Sequence, residues 1–144
     1  MDKLQIKVKL DKGAYMPEKA HAADAGFDIR VPKGKQFRLG NKCKIFTGIH
    51  VEIPEGYYMS VENRSGLNFN NDITLHGTGT IDSGYTGEIG VKLYNDGTEE
   101  HIFKPGDKIA QLILHPFRSD VELIQVDNLS DTERGAGGFG STGQ

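Results

Sequence analysis

The segment KIFTGIHVEI, residues 44 to 53, alternates in chemistry from one residue to the next. Ile45, Thr47, Ile49, Val51 and Ile53 fall on one side, and Phe46, His50 and Glu52 on the other. A period of two belongs to a strand with one buried face, because successive Cβ atoms point to opposite sides of a pleated sheet. The same period returns in YYMSVEN, where Tyr57, Met59 and Val61 alternate with Tyr58, Ser60 and Glu62. It returns again in EIGVKLYN, where Ile89, Val91 and Leu93 alternate with Gly90, Lys92 and Tyr94. LQIKVKL, KIAQLILHPF and VELIQV read as further strands. Turn chemistry separates these runs at Pro32-Lys33-Gly34, Pro54-Glu55-Gly56 and Pro105-Gly106-Asp107, and Asn95-Asp96-Gly97 reads as a hairpin turn. Many short strands at this spacing predict an all-β sandwich or barrel. No amphipathic helix of about ten residues or more is visible; SGLNFNN, residues 65 to 71, has room for one short helix.

A chain of 144 residues suits one β domain, here residues 1–133, followed by a glycine-rich tail over residues 134–144. The net charge of −3 gives no basic footprint for nucleic acid. Cys43 is the single cysteine, so a disulfide framework is excluded and a reducing, cytoplasmic setting is expected. No stretch suits a membrane span, and MDKLQIKVKL lacks the apolar core of a signal peptide.

Chemistry is sought where the strand rule breaks. NRSGLN sets Arg64, Ser65 and Gly66 at a strand end: a planar fork of donors, a hydroxyl and a bare backbone suit a phosphate, though a surface turn with a solvated arginine has the same composition. HGTGTIDSGYTGE carries Asp82 and Tyr85, and Gly77 and Gly79 let a flat ligand lie against backbone; a bulged hairpin explains the glycines equally well. In AADAGFDIRV the even spacing of Asp24 and Asp28 puts two carboxylates on one strand face, for metal or water handling or simply solvated near a turn. In GDKIAQL the alternation puts Gln111 on the face of Ile109 and Ile113, where its amide needs a partner, structural or ligand. The five histidines, His21, His50, His76, His101 and His115, have no zinc spacing, and no G-x-S-x-G elbow occurs. RGAGGFGSTGQ superficially looks like a P-loop but lacks its lysine and any helix to follow.

Taken in order, AGFDI, RSGL, GTIDSGYTGEI, GDKIAQLIL and RGAGGFGSTG resemble the five motifs of the trimeric dUTP pyrophosphatases, over nearly the whole chain. The resemblance implies an all-β, jelly-roll-like dUTPase fold with at most one short helix, and a C-terminal arm exchanged within a homotrimer. It implies hydrolysis of dUTP to dUMP and pyrophosphate, which limits uracil in DNA and supplies dUMP for thymidylate synthesis. Mg²⁺ would ride on the triphosphate and water with no direct protein ligand, and neither nucleic acid nor membrane is an expected partner. Asp82 would be the base for the attacking water, and Tyr85 would stack on the deoxyribose and exclude a 2′-hydroxyl. His76, Gly77, Gly79, Thr80 and Ile81, with Gly90 beyond them, would line the base. Arg64, Ser65 and Gly66 would hold phosphate oxygens, with Gln111 close by and Asp28 ordering the arginine or the waters around Mg²⁺. Arg134 would meet the γ-phosphate, Phe139 would cover the uracil, and Gly140 and Ser141 would complete the closing tail.

Three positions depart from the commonest pattern: Asn63 stands where proline is frequent, Gly84 where many members carry aspartate, and His76 where some carry asparagine. Two alternatives stand beside the pyrophosphatase. A dCTP deaminase of the same superfamily would need a glutamate at the base site, where this chain has aspartate and tyrosine. A dUTPase with an additional duty would bind a regulatory protein partner.

Overall fold

The computed structural model describes residues 2 to 141 and residue 143. Met1, Thr142 and Gln144 lie outside the described residues, so the expectation for the tail is followed without Thr142 and Gln144.

The strands, in chain order, are β1 (Lys7–Leu10), β2 (Gly26–Arg30), β3 (Phe37–Leu39), β4 (Lys42–Phe46), β5 (Ile49–Glu52) and β6 (Tyr57–Glu62). The helix α1 (Ser65–Asn71) follows, then β7 (Ile73–Leu75), β8 (Gly79–Ile81), β9 (Gly90–Asn95), β10 (His101–Phe103) and β11 (Lys108–Pro116). The all-β class and the single short helix agree with the sequence. The strands form a four-stranded sheet in the order β2-β11-β6-β8, a three-stranded sheet β4-β9-β7, and the pairs β1-β5 and β10-β3. The ladders recorded between these strands are antiparallel.

The alternating residues supply the core. Ile45, Thr47, Ile49, Val51 and Ile53 are all buried, as are Val91 and Leu93 from β9 and Ile29 from β2. KIFTGIHVEI is nevertheless two strands. Gly48 bends the chain between them at φ +71°, and a Cβ there would stand 3.0 Å from that of Ala14. Thr47 serves the bend: its hydroxyl donates to the Ile89 carbonyl at 2.6 Å and accepts from the Ile49 amide at 3.2 Å. The three Pro/Gly turns hold, with Gly34, Gly56 and Gly106 at positive φ as a type II geometry needs.

Four expectations are corrected. Asn95-Asp96-Gly97 is no hairpin: β9 already has β4 and β7 on its two edges, so β10 crosses to pair with β3. For the same reason the glycine-spaced segment before β9 is no hairpin ladder. β8 pairs with β6, and the chain leaves its sheet to enter β9. LQIKVKL is paired only from Lys7 onward, against β5. VELIQV forms no strand within its own chain, and Val121, Leu123, Ile124 and Val126 are 51–94% exposed.

Candidate active site

Three neighbouring strands set three polar residues abreast: the register pairs Gln111 of β11 with Asp28 of β2 on one side and with Glu62 of β6 on the other. A bulge between Lys108 and Ala110 breaks the alternation at the start of β11, so Ile109 turns into the core and Gln111 shares its face with Ile113 alone. That corrects the sequence reading. The Gln111 amide donates to the Asn63 carbonyl at 2.8 Å. Its carboxamide fills the space over Gly26, where a Cβ would fall 2.0 Å from Oε1.

The Asp28 carboxylate is shielded, 14% exposed, and sits between two cations: Arg64 Nε at 3.5 Å and Lys108 Nζ at 3.1 Å. Arg64 precedes α1 in extended conformation, so Ser65 and Gly66 open the helix beside it. Asp24 is not on the strand. It closes a turn in which it accepts from the His21 amide at 2.9 Å, because β2 begins only at Gly26. Both aspartates still face one cleft of about 380 Å³, with Arg64, Ser65, Gln111 and Ile113 among its lining residues. Asp28 therefore steadies Arg64 at a cavity with a hydroxyl and an amide at its wall, with Lys108 on the carboxylate's other side, an arrangement whose donors suit phosphate-type oxygens.

The other expected residues lie elsewhere on the chain. Asp82 is exposed in a turn closed by the Tyr85 amide on its carbonyl at 3.0 Å. The Tyr85 hydroxyl donates to the Glu88 carbonyl at 2.9 Å, and the ring lies over Gly87, where a Cβ would come 2.5 Å from that oxygen. His76 and Gly77, the latter at φ +88°, line a shallow hollow of about 240 Å³ with Thr74, Leu75 and Tyr94. Gly79, Thr80 and Ile81 form β8; Ile81 is buried, so its side chain belongs to the core and only its backbone is free to meet a ligand. Gly90 opens β9 on the surface. In the tail, Arg134 Nε donates to the Gly137 carbonyl at 2.7 Å, the Ser141 amide reaches back to Gly138, and Phe139 and Gly140 take positive φ with the phenyl ring fully exposed. One chain thus gathers Asp28, Arg64, Ser65 and Gln111 at a single cleft, while neither Asp82, Tyr85, His76, Arg134 nor Phe139 is among the residues lining it.

Two residues escaped the sequence reading. Lys108 was visible inside GDKIAQL but had no assigned partner until the bulge brought it to Asp28. Asn63 stood out only as a departure. Its side chain accepts from the Leu75 amide at 2.6 Å and the Thr74 hydroxyl at 3.2 Å while its carbonyl takes Gln111, so it ties the phosphate-type corner to the segment that leads to His76.

A shielded carboxylate paired with two cations, beside a cleft that offers an arginine fork, a hydroxyl and an amide, marks a β-fold protein of short antiparallel strands with a polar, ligand-sized cleft. Comparison with known proteins narrows this. The family described as dUTPase matches residues 12–143. The deoxyuridine 5′-triphosphate nucleotidohydrolase of Alkaliphilus metalliredigens is 45% identical over 96% of both chains. That of Clostridium tetani is 42% identical over 100% of both. Among solved structures, the Staphylococcus bacteriophage 80alpha dUTPase with dUpNHpp superimposes with a TM-score of 0.85 at 34% identity, over 99% of this chain and 100% of that one. A mutant dUTPase of the S. aureus phage phi11, described for its structural Mg(II) ion, gives 0.77 at 30% identity over 87% of this chain and 98% of that one. The chain belongs to the dUTPase family.

Proposed function

We propose that this chain is a dUTP pyrophosphatase, hydrolysing dUTP to dUMP and pyrophosphate. The observation that carries the reading is the Arg64 fork steadied by Asp28 beside Ser65 and Gln111, with Lys108 on the other side of the carboxylate, a set of donors suited to phosphate oxygens. A phosphoanhydride resists water partly because its charge repels nucleophiles, and fixed cations relieve that repulsion. Mg²⁺ on the triphosphate would spread the same charge. The residues fit that role without binding it directly, since Asp28 is already held between two cations. Asp82, exposed on its turn, supplies the general base, an effect of about 10²–10⁴-fold. The Tyr85 ring, held by Glu88 and Gly87, rejects a ribose by collision.

The working site is shared among three copies. Within one chain the base, the ring and the tail stand apart from the cleft, and a homotrimer would bring them to it. Two unpaired β-type stretches support the exchange of the arm. Leu4 to Ile6 border an apolar groove of about 430 Å³ with Met16, Phe27 and Leu112, and residues 121–126 expose apolar side chains with no strand to join. The groove receives residues 121–126 of a second copy, and residues 134–144 then close over the site as a lid, with Arg134 on the phosphate and Phe139 on the base. Among the described residues no helix is long and apolar enough to cross a membrane, and the single Cys43 supports a cytoplasmic setting.

The test is a nucleotide panel read by pyrophosphate release with Mg²⁺ present. dUTP should be cleaved far faster than UTP, dCTP or dTTP, and equal rates on dTTP would overturn the reading. Asp82→Asn should keep dUTP binding within about tenfold while nearly abolishing turnover, the signature of a lost transition-state interaction. Co-refolding Asp82→Asn chains with chains cut after residue 133 should restore activity above either parent. A regulatory duty is a second reading, favoured by the 80alpha neighbour, described as belonging to phage dUTPases that control transfer of virulence genes; a pull-down with and without a non-hydrolysable dUTP analogue tests it.

A further inference from the structure

The loop from Asp82 to Glu88 carries the proposed base and the proposed ribose gate, yet it is part of no ladder. Its far end is well fixed: the Ile89 amide donates to the Ile49 carbonyl at 2.9 Å, and the Ile89 carbonyl accepts from both the amide and the hydroxyl of Thr47. Inside the loop the bonds are local, Tyr85 to Asp82 and Tyr85 to Glu88. Among the described residues, the hydrogen bond that reaches residues 82–88 from elsewhere in the chain comes from the ring of His50 on β5. His50 Nδ1 lies 2.9 Å from the Thr86 carbonyl, and Nε2 lies 3.0 Å from Asp11 Oδ2 beyond the end of β1.

A carbonyl oxygen and a carboxylate can only accept, so a ring satisfied on both sides must carry a proton on each nitrogen. We infer that His50, as the imidazolium, is a positioning residue for dUTP hydrolysis, gripping the Thr86 carbonyl with one N–H while Asp11 holds the other. The inference rests on the reading of Asp82 and Tyr85 as the working loop. On deprotonation one N–H remains, and the carboxylate is the stronger acceptor. The proton stays on Nε2, the Nδ1 lone pair then faces the Thr86 carbonyl, and the loop is released.

The surroundings agree with the charged form. Hydrogen bonding to Asp11, then to the Thr86 backbone, raises the His50 pKa above its ordinary value; partial burial and Lys9 oppose the shift, and the Asp11 charge adds to it. The charged groups that face the ring from the paired strands are Lys9, opposite it in the ladder, and Lys7, which Glu52 holds at 2.8 Å. With the folded value raised, the contribution of the clamp is complete below about pH 6.5, the free imidazole midpoint, and is lost as pH rises through the folded midpoint.

Nitrogen-15 NMR of the full chain tests the clamp without reference to turnover. The His50 ring should titrate above free imidazole, and the amide nitrogen of Gly87, which shares the Thr86 peptide group, should shift with the same midpoint. Asp11→Asn should lower both midpoints together. A His50 midpoint at or below that of free imidazole, or a Gly87 signal that ignores it, overturns the proposal. In kinetics, His50→Leu should lower kcat/KM for dUTP about tenfold, as expected of a displaced catalytic loop. His50→Lys, which keeps several N–H donors and stays charged to higher pH, should restore activity and remove the alkaline fall expected of wild type. Wild-type kcat/KM in the leucine variant, at every pH, also overturns it. If Asp82→Asn proved fully active, the reading of the loop would fail while the NMR titration still judged the clamp.

Discussion

Gly26→Ala places a single methyl group where its effect falls on one side chain. The new Cβ would lie 2.0 Å from Gln111 Oε1, 2.7 Å from its Cδ and 3.0 Å from its Cβ. Oε1 and Cδ belong to the far end of a flexible glutamine and swing away, while the Cβ contact stays whatever the rotamer, so β2 and β11 part by a few tenths of an ångström and keep their register. To reach even a tight contact Oε1 must move by about 1 Å, against carbon contacts that are optimal at ~3.5–4.0 Å. The 2.8 Å bond from Gln111 to the Asn63 carbonyl breaks in the process. A displacement of about 1 Å at a working site can cost up to about 10²-fold, and the lost bond is worth about 1 kcal/mol. We expect kcat/KM for dUTP to fall about 10- to 100-fold while the melting temperature drops by only a few degrees, measured by pyrophosphate release and calorimetry on the same preparation. The decisive control is the double change with Gln111→Ala. If Gly26 acts through Gln111, the second substitution adds little to the first. Wild-type turnover in Gly26→Ala, or two effects that multiply independently, would refute the reasoning.

Thr47→Val keeps shape but removes the acceptor shown for the buried Ile49 amide, so stability should drop by about 1–3 kcal/mol and thermal unfolding should shift down by several degrees. Asn63→Ala frees the Leu75 amide at an exposed site where water can replace it; the fold should survive at a cost of about 1 kcal/mol, while KM for dUTP rises as the segment before His76 loosens. Gly87→Ala should weaken discrimination against UTP more than it weakens dUTP turnover, because the methyl group displaces the Tyr85 ring; a selectivity ratio equal to wild type would count against the ring as the gate.

Strands that bury one face were legible in the sequence because alternation is a local signal. Ile45 through Ile53 and Ile89 through Leu93 show it at every step, and α1 was legible only as room for one short helix in residues 65 to 71. What was not legible is which edges are free. Nothing local in Asn95-Asp96-Gly97 says that β9 already has two neighbours, so a hairpin was a reasonable expectation and a wrong one. The strands β3, β7 and β10 are three residues each, too short for a period to register. The phosphate-type corner was visible in its arginine, serine and glutamine. The part played by Lys108 depended on a bulge, and that of Asn63 and His50 on contacts to residues 12 to 48 positions away.

That β9 is full has a further consequence for how such a chain can change over generations. The stretch before it, residues 82 to 88, carries no cross-strand pairing, so adding or removing a residue there slides no strand past another and turns no core side chain outward. The cost of variation in that stretch falls on the proposed working groups, Asp82, Tyr85 and the Thr86 carbonyl that His50 meets, and not on the core. Lineages of this fold can therefore alter the positions between Asp82 and Tyr85, and those just after, without repacking the strands, so that selection on the loop acts separately from selection on the fold.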